Sequence, residues 1–240
     1  MFMKILILLA SLSLGAAGSA SAAVDYSFTF NSGFENSGNI TDGNPSPWSD
    51  TRTVSGITEA AIGSVSMQVN LSGGYNGDLY CYLSHAGVLI PLLNRVGTGT
   101  GNAFGYSDAG LNLTFTDAAA HNIHSYQIVS GYSITGGATW QPDGRTINPV
   151  TSVPSAFDAA GTVTFANLTG LNPNGDWTLV FADLSTGGGQ AQVLSWGVSV
   201  TAVPEPINVA LGIFSGGALV VHVARRWRVR SQSHAPVNGS

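Results

Sequence analysis

Most of the central region (residues 24–202) alternates hydrophobic and polar positions with a period of two residues, which is the pattern of β-strands that bury one face. The clearest alternating runs cover residues 65–71, 111–116, 177–182 and 194–200. Glycine, asparagine, proline and aspartate separate these runs, and no segment of the region combines a sustained helical period with helix caps. The sequence therefore predicts an all-β domain, an antiparallel β-sandwich or jelly roll.

The N-terminus has the three parts of a secretory signal peptide. Lys4 gives the first residues a positive charge, an apolar run covers residues 5–14, and Ala20-Ser21-Ala22 matches the small-x-small pattern that signal peptidase accepts. The apolar run is too short to cross a bilayer, which requires about 20 residues. We therefore predict a signal helix within a signal peptide over residues 1–22, cleaved by signal peptidase, and export of the remaining chain.

A second apolar run lies near the C-terminus. Residues 207–224 contain no Asp, Glu, Lys or Arg, and as a helix they would extend about 27 Å, enough to cross the hydrocarbon core. A basic segment, residues 225–230, follows directly. Because positive charge beside a span remains on the cytoplasmic side, the pattern predicts a transmembrane helix that holds the central region outside the cell.

The tripeptide Pro204-Glu205-Pro206 stands directly before the apolar run and should be extended and accessible, because prolines interrupt both strands and helices. The order of Pro-Glu-Pro, apolar span and arginine cluster over residues 203–230 resembles the PEP-CTERM family of sorting tails. The resemblance implies processing by an exosortase, after transient anchoring in the membrane, and transfer to the cell surface or extracellular matrix. The sorting residues that it implies are Pro204, Glu205, Pro206, Arg225, Arg226 and Arg228. Residues 231–240 are predicted to be a disordered tail.

Motifs in the central region carry a second resemblance. Residues 77–83 read Gly-Asp-Leu-Tyr-Cys-Tyr-Leu, residues 175–183 read Gly-Asp-Trp-Thr-Leu-Val-Phe-Ala-Asp, and residues 194–196 read Leu-Ser-Trp. Their order and spacing resemble the P domain (P/Homo B domain) of proprotein convertases, with a match over residues 48–202. Residues 23–47 precede the match as an N-terminal strand and a lead-in segment. The resemblance implies a jelly roll that stabilises a neighbouring subtilisin-like protease domain.

The sequence predicts no enzymatic activity. The Asp-[Thr/Ser]-Gly, His-Gly-Thr and Gly-Thr-Ser-Met blocks of subtilases do not occur in it, and neither does a Gly-x-Ser-x-Gly elbow. Lys4 is the only lysine and belongs to the predicted signal peptide, so lysine-based nucleophilic mechanisms are excluded. His85, His121 and His124 lie in predicted loops or turns, and we interpret them as exposed polar side chains. Family resemblance alone would suggest a serine endopeptidase, but no catalytic residue is predicted.

Charge and acidic residues restrict the partners and cofactors. The central region has twelve acidic and three basic side chains, which gives it a net charge of −9 and makes nucleic acid an unfavourable partner. Asp78, Asp176 and Asp183 are candidate oxygen ligands for calcium, although no contiguous calcium-loop motif is present. Aspartate beside glycine is also a common turn residue, which is the alternative interpretation. No other cofactor is predicted.

The tryptophans and the single cysteine complete the set of candidate residues. Trp177 and Trp196 alternate with aliphatic residues and are predicted to lie in the core. Trp48 and Trp140 lie in polar segments and are predicted ligand contacts, for example with polysaccharide. Cys81, the only cysteine, alternates with Leu79 and Leu83 and is predicted to be a buried hydrophobic side chain.

Together these features predict a secreted, exosortase-sorted cell-surface or matrix protein with a non-catalytic body in a structural or adhesive role. Two alternatives stay open. One is a carbohydrate-binding module for extracellular polysaccharide, which an exposed aromatic groove would favour. The other is an accessory domain for a separately encoded subtilisin-like protease, which a flat apolar patch outside the sandwich would favour.

Overall fold

The computed structural model of the protein describes residues 22–204, called the body from here on, and ten strands in two sheets dominate this range. The strands are β1 (Val24–Phe30), β2 (Asn39–Ile40), β3 (Asn44–Val54), β4 (Ala61–Gly73), β5 (Leu79–His85), β6 (Val88–Asn94), β7 (Leu111–Thr116), β8 (Ala138–Trp140), β9 (Gly175–Asp183) and β10 (Ala191–Val203). Short 3₁₀ helices in the connections cover Glu35–Gly38, Asn76–Asp78, Ile123–Ile128, Pro154–Asp158 and Phe165–Leu168.

The first sheet has the order β1-β10-β4-β7-β8, with β2 also paired to β10, and the second has the order β3-β9-β5-β6. Every pairing is antiparallel except that of β7 with β8. The four alternating runs fall within β4, β7, β9 and β10, so the predicted all-β sandwich is confirmed at this level. The alternation works because successive side chains of a strand point to opposite faces, and one face of each sheet is buried.

The core is built from the inward positions of both sheets. Met67 of β4, Leu83 of β5 and Phe181 of β9 are fully buried in one continuous hydrophobic cluster. Trp177 and Trp196 belong to the same cluster, as predicted. Each such side chain contributes about 1.5–3 kcal/mol by leaving water. Residues 22–203 form a compact unit around this core, which is the property that allows a domain to fold by itself.

Strand β1 is an integral part of the first sheet. It pairs with β10 over its whole length, from Val24 with Ala202 to Phe30 with Trp196. Its inward side chains, Tyr26, Phe28 and Phe30, pack against the core. The N-terminal strand predicted before the P-domain-like region therefore completes the sheet at one edge.

Several predictions concern residues outside the described range. These are the signal peptide up to residue 21, Glu205 and Pro206 of the sorting motif, the apolar run 207–224, and Arg225, Arg226 and Arg228 with the tail that follows. Within residues 22–204, no helix has the length and hydrophobicity needed to cross a bilayer. The predicted membrane span lies outside that range.

Cys81 should be chemically inert in the folded protein. The residue is fully buried in β5, and burial raises the pKa of its thiol well above the ordinary value. Because the thiolate is the nucleophile, we expect alkylation of the native body by iodoacetamide at neutral pH to be at least about 100-fold slower than in guanidinium chloride. Mass spectrometry of timed samples measures both rates. Fast alkylation of the native protein would contradict the buried position.

Candidate functional site

A groove of about 430 Å³ opens between loops outside the sandwich, and we call it the loop groove. Its lining comes from residues 97–106, from the 3₁₀ helix Ile123–Ile128, and from Arg145, Phe157 and Asp158 of a third segment. Gly97 has a φ of 80°, and a Cβ atom at this position would collide with the Tyr106 ring. The first of the three segments can therefore adopt its path only with glycine at this position.

A buried polar network forms the floor of the loop groove. The carboxylate of Asp143 is inaccessible to solvent, and its Oδ2 lies 2.7 Å from Nδ1 of His124. Its Oδ1 accepts a hydrogen bond of 3.1 Å from Nη1 of Arg145, and Oδ2 also accepts one from the backbone N–H of Asn94. A buried charge is stable only when it is paired and hydrogen-bonded, and Asp143 meets both conditions.

The network also ties the loops to one another. Nε2 of His124 lies 2.9 Å from the carbonyl oxygen of Thr98, and Nε of Arg145 donates to the carbonyl oxygen of Phe157 at 2.9 Å. At the rim, the hydroxyl and the amide of Thr100 both donate to the Asp158 carboxylate. These bonds from Thr100 lower the pKa of Asp158. Hydrogen bonds therefore hold the segments that line the loop groove to one another.

Neither buried histidine is arranged as a general base. Both ring nitrogens of His124 contact acceptor oxygens, and those of His85 contact the carbonyl oxygens of Asp176 and Asn172 at 3.0 and 2.8 Å. A general base must instead reach the proton of a nucleophile. His121 is exposed, as predicted, and among the described residues no hydroxyl or thiol is hydrogen-bonded to a histidine ring.

The interpretation of His85 and His124 as exposed side chains is wrong. They are 3% and 4% exposed, respectively. His85 stacks on the Trp177 indole with 3.9 Å between ring centroids, and both rings bond to oxygens from distant segments. The two histidines are buried because their rings bond to buried carbonyl oxygens, which need a hydrogen-bond donor. The local sequence does not show which carbonyl groups the fold buries.

Two of the most exposed hydrophobic side chains of the body lie on segments that form the loop groove. Ile128 is 81% exposed and Phe104 is 75% exposed. Ile128 lines the loop groove, and Phe104 lies in the loop between the lining residues Asn102 and Tyr106. Large apolar side chains that are this exposed beside a groove are candidates for contact with a partner.

A second groove, of about 680 Å³, runs along the outer face of the first sheet. Nine of its fifteen lining residues carry a hydroxyl or carboxyl group, including Ser66, Ser199, Thr201 and Asp25. Phe165 is the aromatic residue among its lining residues, and it is buried. The groove therefore lacks an exposed ring on which a sugar could stack.

Trp48 and Trp140, predicted as ligand contacts, lie in the core. Their indole N–H groups donate to the carbonyl oxygens of Glu35 at 2.9 Å and Ser133 at 2.8 Å. The interpretation as exposed contact residues therefore does not fit the structure. Each indole is buried because its strand turns that position inward, although the neighbouring residues are polar.

Two of the three calcium candidates lie together. Asp78 and Asp183 are buried at adjacent ends of β5 and β9, where the Leu184 amide donates to the carbonyl oxygen of Asp78. Burial and the neighbouring Asp183 charge raise the pKa of Asp78 to about 6, and burial also raises the pKa of Asp183. Asp176 lies at the other end of β9, where it accepts a bond from the Thr53 hydroxyl. No group of three His, Cys, Asp or Glu side chains within residues 22–204 is arranged to hold a metal.

Comparisons with known proteins give only distant structural likenesses. No family model matches the chain, and no curated protein matches it. The chain is similar to the crystal structures of an Aeromonas sobria serine protease alone and in complex with its chaperone, with 15% identity to each and TM-scores of 0.41 and 0.43. The similarity covers 76% and 78% of this chain but only 27% and 28% of the matched chains. The resemblances to the P domain and to PEP-CTERM tails therefore stay predictions from the motifs.

Proposed function

We propose that the protein is an exported, exosortase-sorted surface or matrix protein whose non-catalytic, P-domain-like body binds another protein through the loop groove. The observation that carries the proposal is that two highly exposed apolar side chains, Ile128 and Phe104, lie on groove segments that a buried ion-pair network holds in place. The ordered signals at both ends of the sequence support export and sorting. The role is structural or adhesive.

A few apolar side chains supply most of the affinity of a protein–protein contact. Affinity is higher when these side chains and their loops are already ordered before binding, because ordering them costs entropy. Ile128 lies on a 3₁₀ helix fixed through His124. Phe104 lies in the segment of residues 97–106, in which Gly97 packs closely against the Tyr106 ring. The network under the loop groove thus presents anchors on ordered segments. The net charge of the body favours a partner whose contact surface is apolar at its centre and basic at its rim.

The accessory-domain alternative shares this interface and differs in the partner. The same apolar loops would fit a separately encoded subtilisin-like protease, and the motif resemblance to the P domain supports that choice. The carbohydrate alternative has less support. Trp48 and Trp140 are buried, and the groove on the outer sheet face has no exposed aromatic ring.

The test is to capture partners from the native envelope or matrix with the tagged body and with a Phe104→Ser/Ile128→Ser double variant. We expect the double variant to retain at most about one tenth of the captured protein, because it loses two exposed anchors and no buried contact. The matched control is Leu89→Ser, which removes a 53% exposed side chain from β6, outside the groove lining. Protein identification by mass spectrometry shows whether the partner is a protease.

Equal capture by the double variant and the parent would contradict the proposed interface. Capture that soluble matrix polysaccharide abolishes in both proteins would instead support the carbohydrate alternative. Thermal unfolding of each variant confirms that the substitutions leave the fold intact, as expected for exposed positions.

A further inference from the structure

Strand β1 forms an edge of the first sheet, and its outer side faces no other strand of the body. It pairs with β10 from Val24 to Phe30, while β2 pairs with β10 farther along the same edge. The backbone N–H and C=O groups on the outer side of an edge strand are free to pair with a strand of another chain. β1 therefore presents a pairing edge that is seven residues long.

The sequence of β1 has none of the features that prevent a free edge from pairing. It contains no proline and no glycine, and its one charged side chain is that of Asp25. It pairs with β10 without a bulge. Five of its seven residues are of types that favour strands: Val24, Tyr26, Phe28, Thr29 and Phe30. Segments of this composition pair readily with one another, which is why natural sheet edges carry proline, bulges or inward-pointing charges.

The other three sheet edges of the body are obstructed. Edge strand β3 contains Pro45 and Pro47, and it carries the charged Asp50 at an inward position. Edge strand β8 has only three residues. Edge strand β6 is covered by a loop, because the amides of Asp143 and Gly144 donate to its carbonyl oxygens. Within residues 22–204, β1 is therefore the long, uninterrupted edge that lacks such protection.

The inward side of β1 is incompletely covered. Tyr26, Phe28 and Phe30 are only partly buried against the core. Inward side chains of the neighbouring strands, such as Met67 of β4 and Val198 of β10, are buried. A strand added at this edge would place its own inward side chains beside the three aromatic rings and remove more of their surface from water. The edge thus offers both backbone hydrogen bonds and apolar area to a partner.

We propose that β1 pairs antiparallel with β1 of a second copy of the protein, so that the first sheets of two bodies join about a two-fold axis. The partner is a second copy because β1 is complementary to itself. With Ser27 opposite Ser27 of the second copy, all seven residues are paired, and the inward side chains of both strands lie on the same side. Asp25 then lies opposite Thr29, so no two like charges meet. Such a two-fold contact is closed and isologous, the commonest form of homodimer.

This contact is separate from the loop groove and goes beyond the proposed function. None of the residues that line the loop groove belongs to β1. A dimer joined through β1 would therefore carry two loop grooves, which raises the avidity for a partner that is itself multivalent. The pairing does not depend on the identity of that partner, so failure of the capture experiment would leave it unaffected.

The test is sedimentation velocity of the body at protein concentrations from micromolar to millimolar, in about 0.15 M salt to screen its negative charge. We expect monomers at the lower end and dimers at the upper end. Ser27→Lys should raise the dissociation constant at least about fivefold, because two lysines then lie opposite each other at the two-fold axis. The matched control is Thr29→Lys, which adds the same charge to the same face, opposite Asp25 of the second copy. It should dimerise at least as well as the parent.

A charge exchange at the same position tests the register. Ser27→Asp should also weaken dimerisation, whereas an equal mixture of Ser27→Lys and Ser27→Asp should restore it, because opposite charges then meet. A parent that stays monomeric throughout, an unchanged dissociation constant in Ser27→Lys, or an equal loss in Thr29→Lys would each overturn the proposal.

Ser27→Cys decides the result if Ser27→Lys does not fold. The new thiol lies opposite its copy across the two-fold axis, so mild oxidation should give a disulfide-linked dimer. Cys81 is buried and does not interfere. The control Thr51→Cys places a thiol on the exposed face of β3 and should give such a dimer at least about ten times more slowly, since β3 is a protected edge. Equal rates for the two variants would contradict pairing through β1.

Discussion

Replacing Asp143 with alanine should lower the free energy of unfolding of the body by about 3–5 kcal/mol. The substitution leaves Arg145 and His124 buried without their shared carboxylate. It also removes the acceptor of the backbone N–H of Asn94. The cost arises mainly from these groups, because each keeps its desolvation penalty after its partner is lost. The loops of the loop groove should become mobile in the same variant.

Urea denaturation followed by tryptophan fluorescence measures this loss. The matched control is Asp25→Ala, which removes an exposed carboxylate bonded to the Thr201 hydroxyl and should cost less than about 1 kcal/mol. A loss for Asp143→Ala no larger than that of the control would show that the network contributes little to stability. Hydrogen exchange should show faster exchange at Gly97, whose amide donates to the His124 carbonyl oxygen.

Replacing Trp196 with alanine should also cost about 3–5 kcal/mol, the range for large aromatic side chains removed from a core. The Trp196 ring is buried, with its centroid 4.6 Å from that of Phe30, and its indole N–H donates to Oδ2 of Asp50 at 2.7 Å. The substitution therefore removes a contact between strands β1 and β10 and one between the two sheets. It combines a cavity with a lost hydrogen bond.

Trp196→Phe separates the two contributions. It keeps most of the ring but removes the indole donor, so we expect a loss of about 1–2 kcal/mol. Arg52 continues to donate to the same Asp50 oxygen, which limits the effect. Equal losses for the phenylalanine and alanine variants in urea denaturation would show that the hydrogen bond, and not the packing, dominates.

The sequence predicts the strands whose inward positions are uniformly hydrophobic. From Val65 to Leu71 in β4 and from Trp196 to Ala202 in β10 every second residue is hydrophobic, so alternation alone identifies the buried face there. In β3 the inward positions include Asp50 as well as Trp48 and Val54. Asp50 is buried because it bonds to Arg52 and Trp196. An aspartate at an inward position makes the sequence of β3 look like a polar loop, so Trp48 is wrongly interpreted as exposed.

The candidate sites were less predictable because they depend on register and loop paths. The loop groove combines three segments whose contacts join Thr98 to His124 and Arg145 to Phe157. Single-sequence patterns contain no signal for such pairs. Two of the three predicted calcium candidates, Asp78 and Asp183, lie together because Leu79 pairs with Asp183, whereas Asp176 lies at the other end of β9.

Strand β10 lies between β1 and β4 although it is the last strand of the body. During synthesis or threading through a translocon, the N-terminal strands emerge first, and the place between them stays open until residues 191–203 arrive. The first sheet then closes in one late, long-range step, which is the slow kind of folding event. The order of the strands thus delays completion of the fold until the last strand of the body is available, which suits the export included in the proposed function.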